Sequence, residues 1–220
     1  MLVAGIDEAG RGCVIGPLVV AGVLMKQENL PALMQLGVKD SKLLTAKKRE
    51  ALFPEILQLA EAHVVLQVLP AEIDRAVKSQ RKLHKLNRLE AQTMGQIVTA
   101  LKPEVVYIDA ADVLEERFGQ HVSEASEFKT SIISEHKADR TYPVVSAASI
   151  LAKVTRDREV AALREQFGDF GTGYLTDPKT GKFLNSWLKG HAEYPDCVRK
   201  SWKPAKRAFE QRGTSQTTLG

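Results

Sequence analysis

Short apolar runs and longer stretches with helical spacing follow one another along the 220-residue chain. Runs rich in Val, Ile and Tyr predict β-strands at residues 2–8, 14–24, 63–69, 104–109 and 129–134. Apolar stripes at helical spacing predict helices at residues 45–62, 70–79, 85–101 and 143–167. Early strands followed by strands alternating with helices predict an α/β fold, a mixed β-sheet flanked by helices.

The composition of the chain changes after Gly168, where glycines, Asp177 and Pro178 indicate connectors and turns. We therefore expect a main domain at residues 1–174 and a C-terminal helical appendage at residues 175–212. Residues 213–220 contain few apolar side chains, so we expect a disordered tail.

The overall composition is that of an ordinary soluble globular protein, with 44% hydrophobic and 26% charged residues. Cys13 and Cys197 lie far apart in the sequence, and no secretory signal or long apolar stretch is evident. We expect a cytoplasmic protein, monomeric and without membrane contact.

Basic residues form two groups in a chain of net charge +4. Each group alone fits a solvated helix face, and together they favour a polyanionic partner. The groups are Lys78, Arg81, Lys82, Lys85 and Arg88, and then Arg199, Lys200, Lys203, Lys206 and Arg207.

Acidic residues stand where strands end and a helix begins. Asp7 and Glu8 follow the first apolar run, Asp109 ends the fourth, and Asp139 precedes the Tyr142-Pro143 helix start. Each acid taken singly fits a turn or a cap, but hard oxygen ligands in this joint pattern favour Mg²⁺ or Mn²⁺. The Gly10-Arg11-Gly12 segment then offers bare backbone and a guanidinium, which suit a phosphodiester.

The ordered series of motifs resembles type 2 ribonuclease H, ribonuclease HII, in its archaeal form. The resemblance covers nearly the whole chain. It rests on residues 5–12, 15–17, 40–43, 107–109, 137–139, 145–157 and 171–174. It implies that residues 1–174 form a ribonuclease H-like catalytic domain.

The resemblance also implies residue roles. Asp7, Glu8, Asp109 and Asp139 correspond to the metal-binding carboxylates, which would hold two ions roughly 4 Å apart. Gly10, Arg11 and Gly12 correspond to the segment that senses the ribose 2′-hydroxyl, Tyr174 to a tyrosine at the RNA–DNA junction, and Lys42 to a lysine near the substrate backbone.

The implied activity is hydrolysis of RNA in RNA–DNA hybrids and cutting 5′ to ribonucleotides embedded in duplex DNA. The products would carry 3′-hydroxyl and 5′-phosphate ends, and the resemblance implies a part in ribonucleotide excision repair and DNA replication. Two alternatives stay open at this point. One is type 3 ribonuclease H, which acts on longer hybrids, and the other is a nucleic-acid-binding adaptor that does not cut.

The last residues contain the opening of a motif that binds sliding clamps. Gln216 and Leu219 have the spacing of its glutamine and aliphatic positions, but the two aromatic residues that would follow are missing. We expect either a truncated clamp motif, with weak clamp binding, or a chance match.

Overall fold

A five-stranded mixed sheet carries the fold, and its central strand is the first in the sequence. The computed structural model describes residues 1–38, 43–79 and 85–217. The strands are β1 Leu2–Ala9, β2 Leu18–Lys26, β3 Ala62–Val68, β4 Val105–Asp109 and β5 Ser131–Glu135. Their order is β3-β2-β1-β4-β5, with β1 antiparallel to β2 and parallel to β4, and β4 parallel to β5.

Nine helices are described in addition to the short 3₁₀ turn Gln27–Asn29. They are α1 Leu30–Leu36, α2 Ala46–Leu59, α3 Pro70–Lys78, α4 Lys85–Leu101, α5 Glu115–Ala125, α6 Ala138–Thr141, α7 Pro143–Phe167, α8 Pro178–Gly190 and α9 Lys203–Thr217. The predicted mixed sheet flanked by helices is confirmed. Helix α9 includes residues 213–217, for which the sequence predicted disorder.

The second strand begins four residues later than the sequence predicted. Gly16 adopts a φ of 97°, which an extended strand does not allow. Ile15, just before it, forms an isolated bridge with Val198 instead of pairing within the sheet. The glycine and the following Pro17 therefore separate the first turn from β2, which starts at Leu18.

The described residues divide into two compact units. The first comprises those of Met1–Ala9, Val19–Gln67 and Lys82–Thr155, and the second those of Gly10–Leu18, Val68–Arg81 and Arg156–Gly220. The first unit holds the sheet and a core formed by β2, α2 and the first half of α7. The second holds a smaller core of Val14, Ile15, Phe170 and residues of α8 and the C-terminal segment.

Helix α7 approaches β1 very closely in the first unit. A Cβ atom added to Gly5 would lie 2.3 Å from the backbone carbon of Val144, so only glycine permits this approach. Residues 144–152 of the helix are all buried, and most are small. This packing sets α7 against β1, the strand that carries Asp7 and Glu8 near its end.

Candidate active site

Three carboxylates converge in the first unit. One oxygen from each of Asp7, Asp109 and Asp139 lies within 4.8 Å of the other two. Asp7 lies near the end of β1, Asp109 ends β4, and the two strands are parallel neighbours in the sheet. Parallel strands end at the same sheet edge, so the first two acids meet there.

Asp139 reaches the same place through the short helix α6. Lys137 precedes this helix in a left-handed conformation with a φ of 59°, which turns the chain sharply after β5. The backbone N–H of Ala138 donates to Asp109 Oδ1 at 3.3 Å, and this bond ties the start of α6 to β4. Asp139 itself is almost fully buried, at 1% exposure.

Glu8 lies outside the close group of three. Its side chain is hydrogen-bonded to that of Asp7, which keeps the two carboxyls close together. Its Oε2 is buried and has no hydrogen-bond partner within the described part of the chain. Its charge nevertheless interacts with those of Asp7 and Asp109, which places it near the group.

The electrostatics of the group favour uptake of positive charge. Burial raises the pKa of Asp7, and the nearby Lys153 and a hydrogen bond from Ser149 oppose this shift. Lys153 Nζ lies 4.0 Å from Asp7 Oδ2. The pKa of Glu8 is raised well above its ordinary value, first by burial and then by repulsion from Asp7 and Glu90.

These observations fit a divalent cation. Every donor in the group is a hard carboxylate oxygen, the type that Mg²⁺ and Mn²⁺ prefer. Carboxylates at such spacing, two of them buried and one partly buried, repel one another, and the Lys153 ammonium does not balance three acids. Asp7, Asp109 and Asp139 would hold the ion directly, with Glu8 and its buried Oε2 as a further donor.

The glycine segment after β1 forms a tight loop in the second unit. Gly10 has a φ of 85°, and a Cβ atom there would lie 2.6 Å from the carbonyl oxygen of Pro17. Cys13 Sγ donates to the Gly10 carbonyl at 3.0 Å, which closes the turn. Gly12 is exposed and Arg11 partly exposed, so backbone and guanidinium are accessible to a ligand of this unit.

Tyr174 packs against the same loop. Its ring lies 3.8 Å from where a Gly12 Cβ would be, and its hydroxyl has a hydrogen bond with the Gly10 backbone. Burial raises the pKa of Tyr174, so the phenol stays protonated at neutral pH. The guanidinium of Arg156 lies over the ring, 4.8 Å from its centroid, and also donates to the carbonyl of Thr172.

The loop that follows β1 and the segment that leads to Tyr174 are joined by backbone hydrogen bonds. The N–H groups of Val14 and Ile15 donate to the carbonyl of Gly173, at 2.8 Å and 3.3 Å. Gly10, Arg11, Gly12 and Tyr174 therefore lie in segments that are tied together in the second unit, and a ligand shared by them stays a prediction.

Two predicted sites lie outside what can be described. Lys42 falls outside the described residues, as does Leu219, and for Gln216 only the helical backbone of α9 is described. Their assigned roles stay predictions.

Sequence reasoning missed Lys153, Ser149, Arg156 and Arg199. Ser149 and Lys153 share a helix face at i, i+4 spacing, a pattern that could have indicated a joint contact. For Arg199 the prediction of a solvated helix face was wrong. This residue precedes α9 and is fully buried.

The mixed sheet and the group of Asp7, Asp109 and Asp139 fit the class of metal-dependent phosphoryl-transfer enzymes. The chain belongs to the ribonuclease HII family, whose model, described as Ribonuclease HII, matches residues 4–205. It is accordingly a ribonuclease H endonuclease.

Individual relatives agree with this assignment. The ribonuclease HII of Thermococcus onnurineus is 48% identical over 213 residues, covering 96% of this chain and 91% of the relative. The crystal structure of ribonuclease H2 from Pyrococcus horikoshii superposes with a TM-score of 0.88 at 41% identity, covering 96% of this chain and 98% of that one.

A third relative was solved as a complex. The ribonuclease HII of Archaeoglobus fulgidus, in a structure with PCNA, gives a TM-score of 0.82 at 43% identity, covering 92% of this chain and 96% of that one. None of the described helices combines the length and hydropathy that crossing a bilayer requires.

Proposed function

We propose that this chain cuts the RNA strand of RNA–DNA hybrids and also cuts 5′ to single ribonucleotides embedded in duplex DNA. The observation that carries this proposal is the group of Asp7, Asp109 and Asp139, in a chain of the ribonuclease HII family. The products would carry 3′-hydroxyl and 5′-phosphate ends.

The carboxylates have the first role in the reaction. Asp7, Asp109 and Asp139, with Glu8 beside them, hold Mg²⁺ or Mn²⁺. When bound, such ions make water more acidic and offset charge on the phosphate and on the leaving oxygen. The hydrogen bond from Ala138 fixes Asp109, and that from Ser149 fixes Asp7, so the acids are oriented before any ligand arrives.

Residues 10–12 and Tyr174 have the second role, which is recognition of the substrate. RNA differs from DNA at each nucleotide by the 2′-hydroxyl, a donor and an acceptor. The backbone at Gly12 is accessible and can contact that hydroxyl, while Arg11 contacts phosphate. Tyr174, held between Arg156 and the loop, packs against the sugar at the RNA–DNA junction.

The experiment uses three end-labelled duplexes of one sequence. One is DNA with a single ribonucleotide, one is an RNA–DNA hybrid, and one is all DNA. With Mg²⁺ the chain should cut the first two and leave the third, and EDTA should abolish cutting. Ligation of the downstream product should succeed without prior phosphorylation, because it carries a 5′-phosphate.

The alternatives predict other outcomes of the same assay. Cutting of the hybrid without cutting at the single ribonucleotide would favour type 3 specificity. Binding of all duplexes without any cutting would favour the adaptor. Asp112→Asn is a matched control. Asp112 is a buried acid that is hydrogen-bonded to Arg117 and does not belong to the group of Asp7, Asp109 and Asp139. This variant should keep cutting.

A sliding clamp is the proposed protein partner. The support is the Archaeoglobus fulgidus relative solved with PCNA and the spacing of Gln216 and Leu219. Calorimetric titration of PCNA should show weak binding to this chain and stronger binding after two aromatic residues are appended behind a short spacer. Equal binding by both forms would contradict a role for these two residues.

A further inference from the structure

Arg199 is a fully buried cation in the second unit, at 0% exposure. Its guanidinium donates to three backbone carbonyls, those of Gly10 at 2.6 Å, Arg11 at 2.8 Å and Gly16 at 3.1 Å. A further contact joins the same guanidinium to Cys13 Sγ at 3.1 Å. All of these partners belong to residues 10–16, which we call the recognition loop.

The planar fork of arginine suits this arrangement, because its N–H groups point in fixed directions. Burying a charge is costly unless it is well hydrogen-bonded, so the guanidinium holds these carbonyls firmly. The indole ring of Trp202 also faces the guanidinium carbon, with its centroid 5.2 Å away. The loop carbonyls are thus turned inward toward one buried group.

Because of peptide geometry, a carbonyl that points toward Arg199 leaves the N–H of the same peptide pointing away from it. In a trans peptide the C=O and the following N–H point in opposite directions, and no cis peptide is present among the described residues. The Gly10 carbonyl shares its peptide with the Arg11 N–H, and the Arg11 carbonyl with the Gly12 N–H. Holding both carbonyls therefore directs the N–H groups of Arg11 and Gly12 away from the guanidinium.

The backbone around Arg199 is held in place by hydrogen bonds of its own. The backbone N–H of Arg199 donates to the carbonyl of Val14 at 2.8 Å, and the Gly16 N–H donates to the Cys197 carbonyl at 2.8 Å. Buried Asp74 accepts from the N–H groups of Lys200 and Ser201, which fixes the residues that follow. The guanidinium is therefore positioned before substrate binds.

We propose that Arg199 is a positioning residue for 2′-hydroxyl recognition. It holds the recognition loop so that the N–H groups of Arg11 and Gly12 are presented to the ribose. This inference rests on the proposed function, in which residues 10–12 distinguish RNA from DNA. Arg199 touches neither substrate nor metal in this role and acts through the backbone it holds.

The test measures how much more tightly the protein binds a duplex with one 2′-hydroxyl than the same duplex without it. Fluorescence anisotropy, with Ca²⁺ replacing Mg²⁺ to slow cutting, gives the affinity for two duplexes that differ in a single 2′-hydroxyl. The wild type should prefer the ribonucleotide duplex by on the order of 10-fold, which corresponds to about one net hydrogen bond. Arg199→Met should bring the ratio to about 1 with unchanged affinity for all-DNA duplex.

The control is Arg117→Met, which removes an arginine held by the buried Asp112 in the first unit. It should keep the wild-type ratio. A general loss of folding would lower both affinities together, whereas the positioning role lowers only one.

The outcomes separate the two proposals. A wild type without preference would overturn recognition by residues 10–12 and this inference with it. A wild type with preference and an Arg199→Met variant that retains it would overturn the positioning role alone. If Arg199→Met does not fold, Arg199→Lys decides, since lysine keeps the charge but not the fork. A reduced ratio supports the role, and a wild-type ratio overturns it.

Discussion

Asp139→Asn should stabilise the protein in EDTA, although it removes a proposed metal ligand. The reason is repulsion within the group of Asp7, Asp109 and Asp139, whose oxygens lie within 4.8 Å of one another. Two full charges at that distance in a medium of effective dielectric ~20 repel by about 3.5 kcal/mol. The ammonium of Lys153, 4.0 Å from Asp7 Oδ2, already offsets part of this repulsion.

The expected gain is therefore smaller than the full Coulomb energy. We expect the free energy of unfolding to rise by about 1–2 kcal/mol, or roughly 2–8 °C in Tm for a chain of this size. Saturating Mg²⁺ should make the wild type more stable than Asp139→Asn. At about 100 times its Kd an ion stabilises the wild type by about 2.7 kcal/mol, and Asp139→Asn should gain much less.

The assay is thermal unfolding followed by circular dichroism at neutral pH, in EDTA and across a Mg²⁺ titration. Asp112→Asn is the matched control, because Asp112 is buried and Arg117 holds its pKa well below the ordinary range. That variant should lose about 1–3 kcal/mol under both conditions. Our reasoning would be refuted if Asp139→Asn lost stability in EDTA as Asp112→Asn does.

Three further predictions concern other parts of the molecule. Because the folded-state pKa of Glu8 lies above its ordinary value of 4.5, stability in EDTA should fall as pH rises from about 4.5 through that raised pKa. Glu8→Gln should make the fall shallower, and an unchanged slope from pH-dependent denaturation would contradict the shift. Tyr174→Ala should lose more cutting at a single embedded ribonucleotide than on a long hybrid, and equal losses in kinetic assays would indicate a purely structural tyrosine. Gly5→Ala should cost about 1–3 kcal/mol or more by chemical denaturation, since its Cβ would meet the backbone of Val144. Gly181→Ala is its control, because an added Cβ there has no neighbour within 4 Å, and it should be neutral or slightly stabilising.

Local sequence patterns correctly predicted the helices whose spacing and ends they mark. Helices α4 and α7 have the predicted bounds, and Pro143 at the start of α7 explains why that end was clear. Helix α5, with acids in its first turn and a buried face at Phe118 and Val122, was not predicted. The order of strands in the sheet also required the structure, because pairing of β1 with β4 joins residues about a hundred positions apart.

The site shows the same limit. Sequence indicated Asp7 and Asp109, since acids at the ends of apolar runs are visible in the chain itself, and Asp139, which stands just before a predicted helix start. Sequence could not separate Glu8 from the other three, because that depends on where the folded chain places each carboxyl oxygen. The contacts of Arg199 could not be predicted for another reason. The carbonyls that accept its hydrogen bonds lie 183 to 189 positions earlier in the chain.

The most direct test of the central claim is single-turnover cleavage of a duplex with one ribonucleotide by Asp109→Asn in saturating Mg²⁺. Asparagine keeps the oxygen that accepts from the Ala138 N–H at 3.3 Å, so the local fold should survive while one anionic ligand is lost. We predict a rate constant lower by on the order of 100-fold or more, with Asp112→Asn near the wild type. A wild-type rate in Asp109→Asn would contradict the assignment of the carboxylate group as the catalytic metal site.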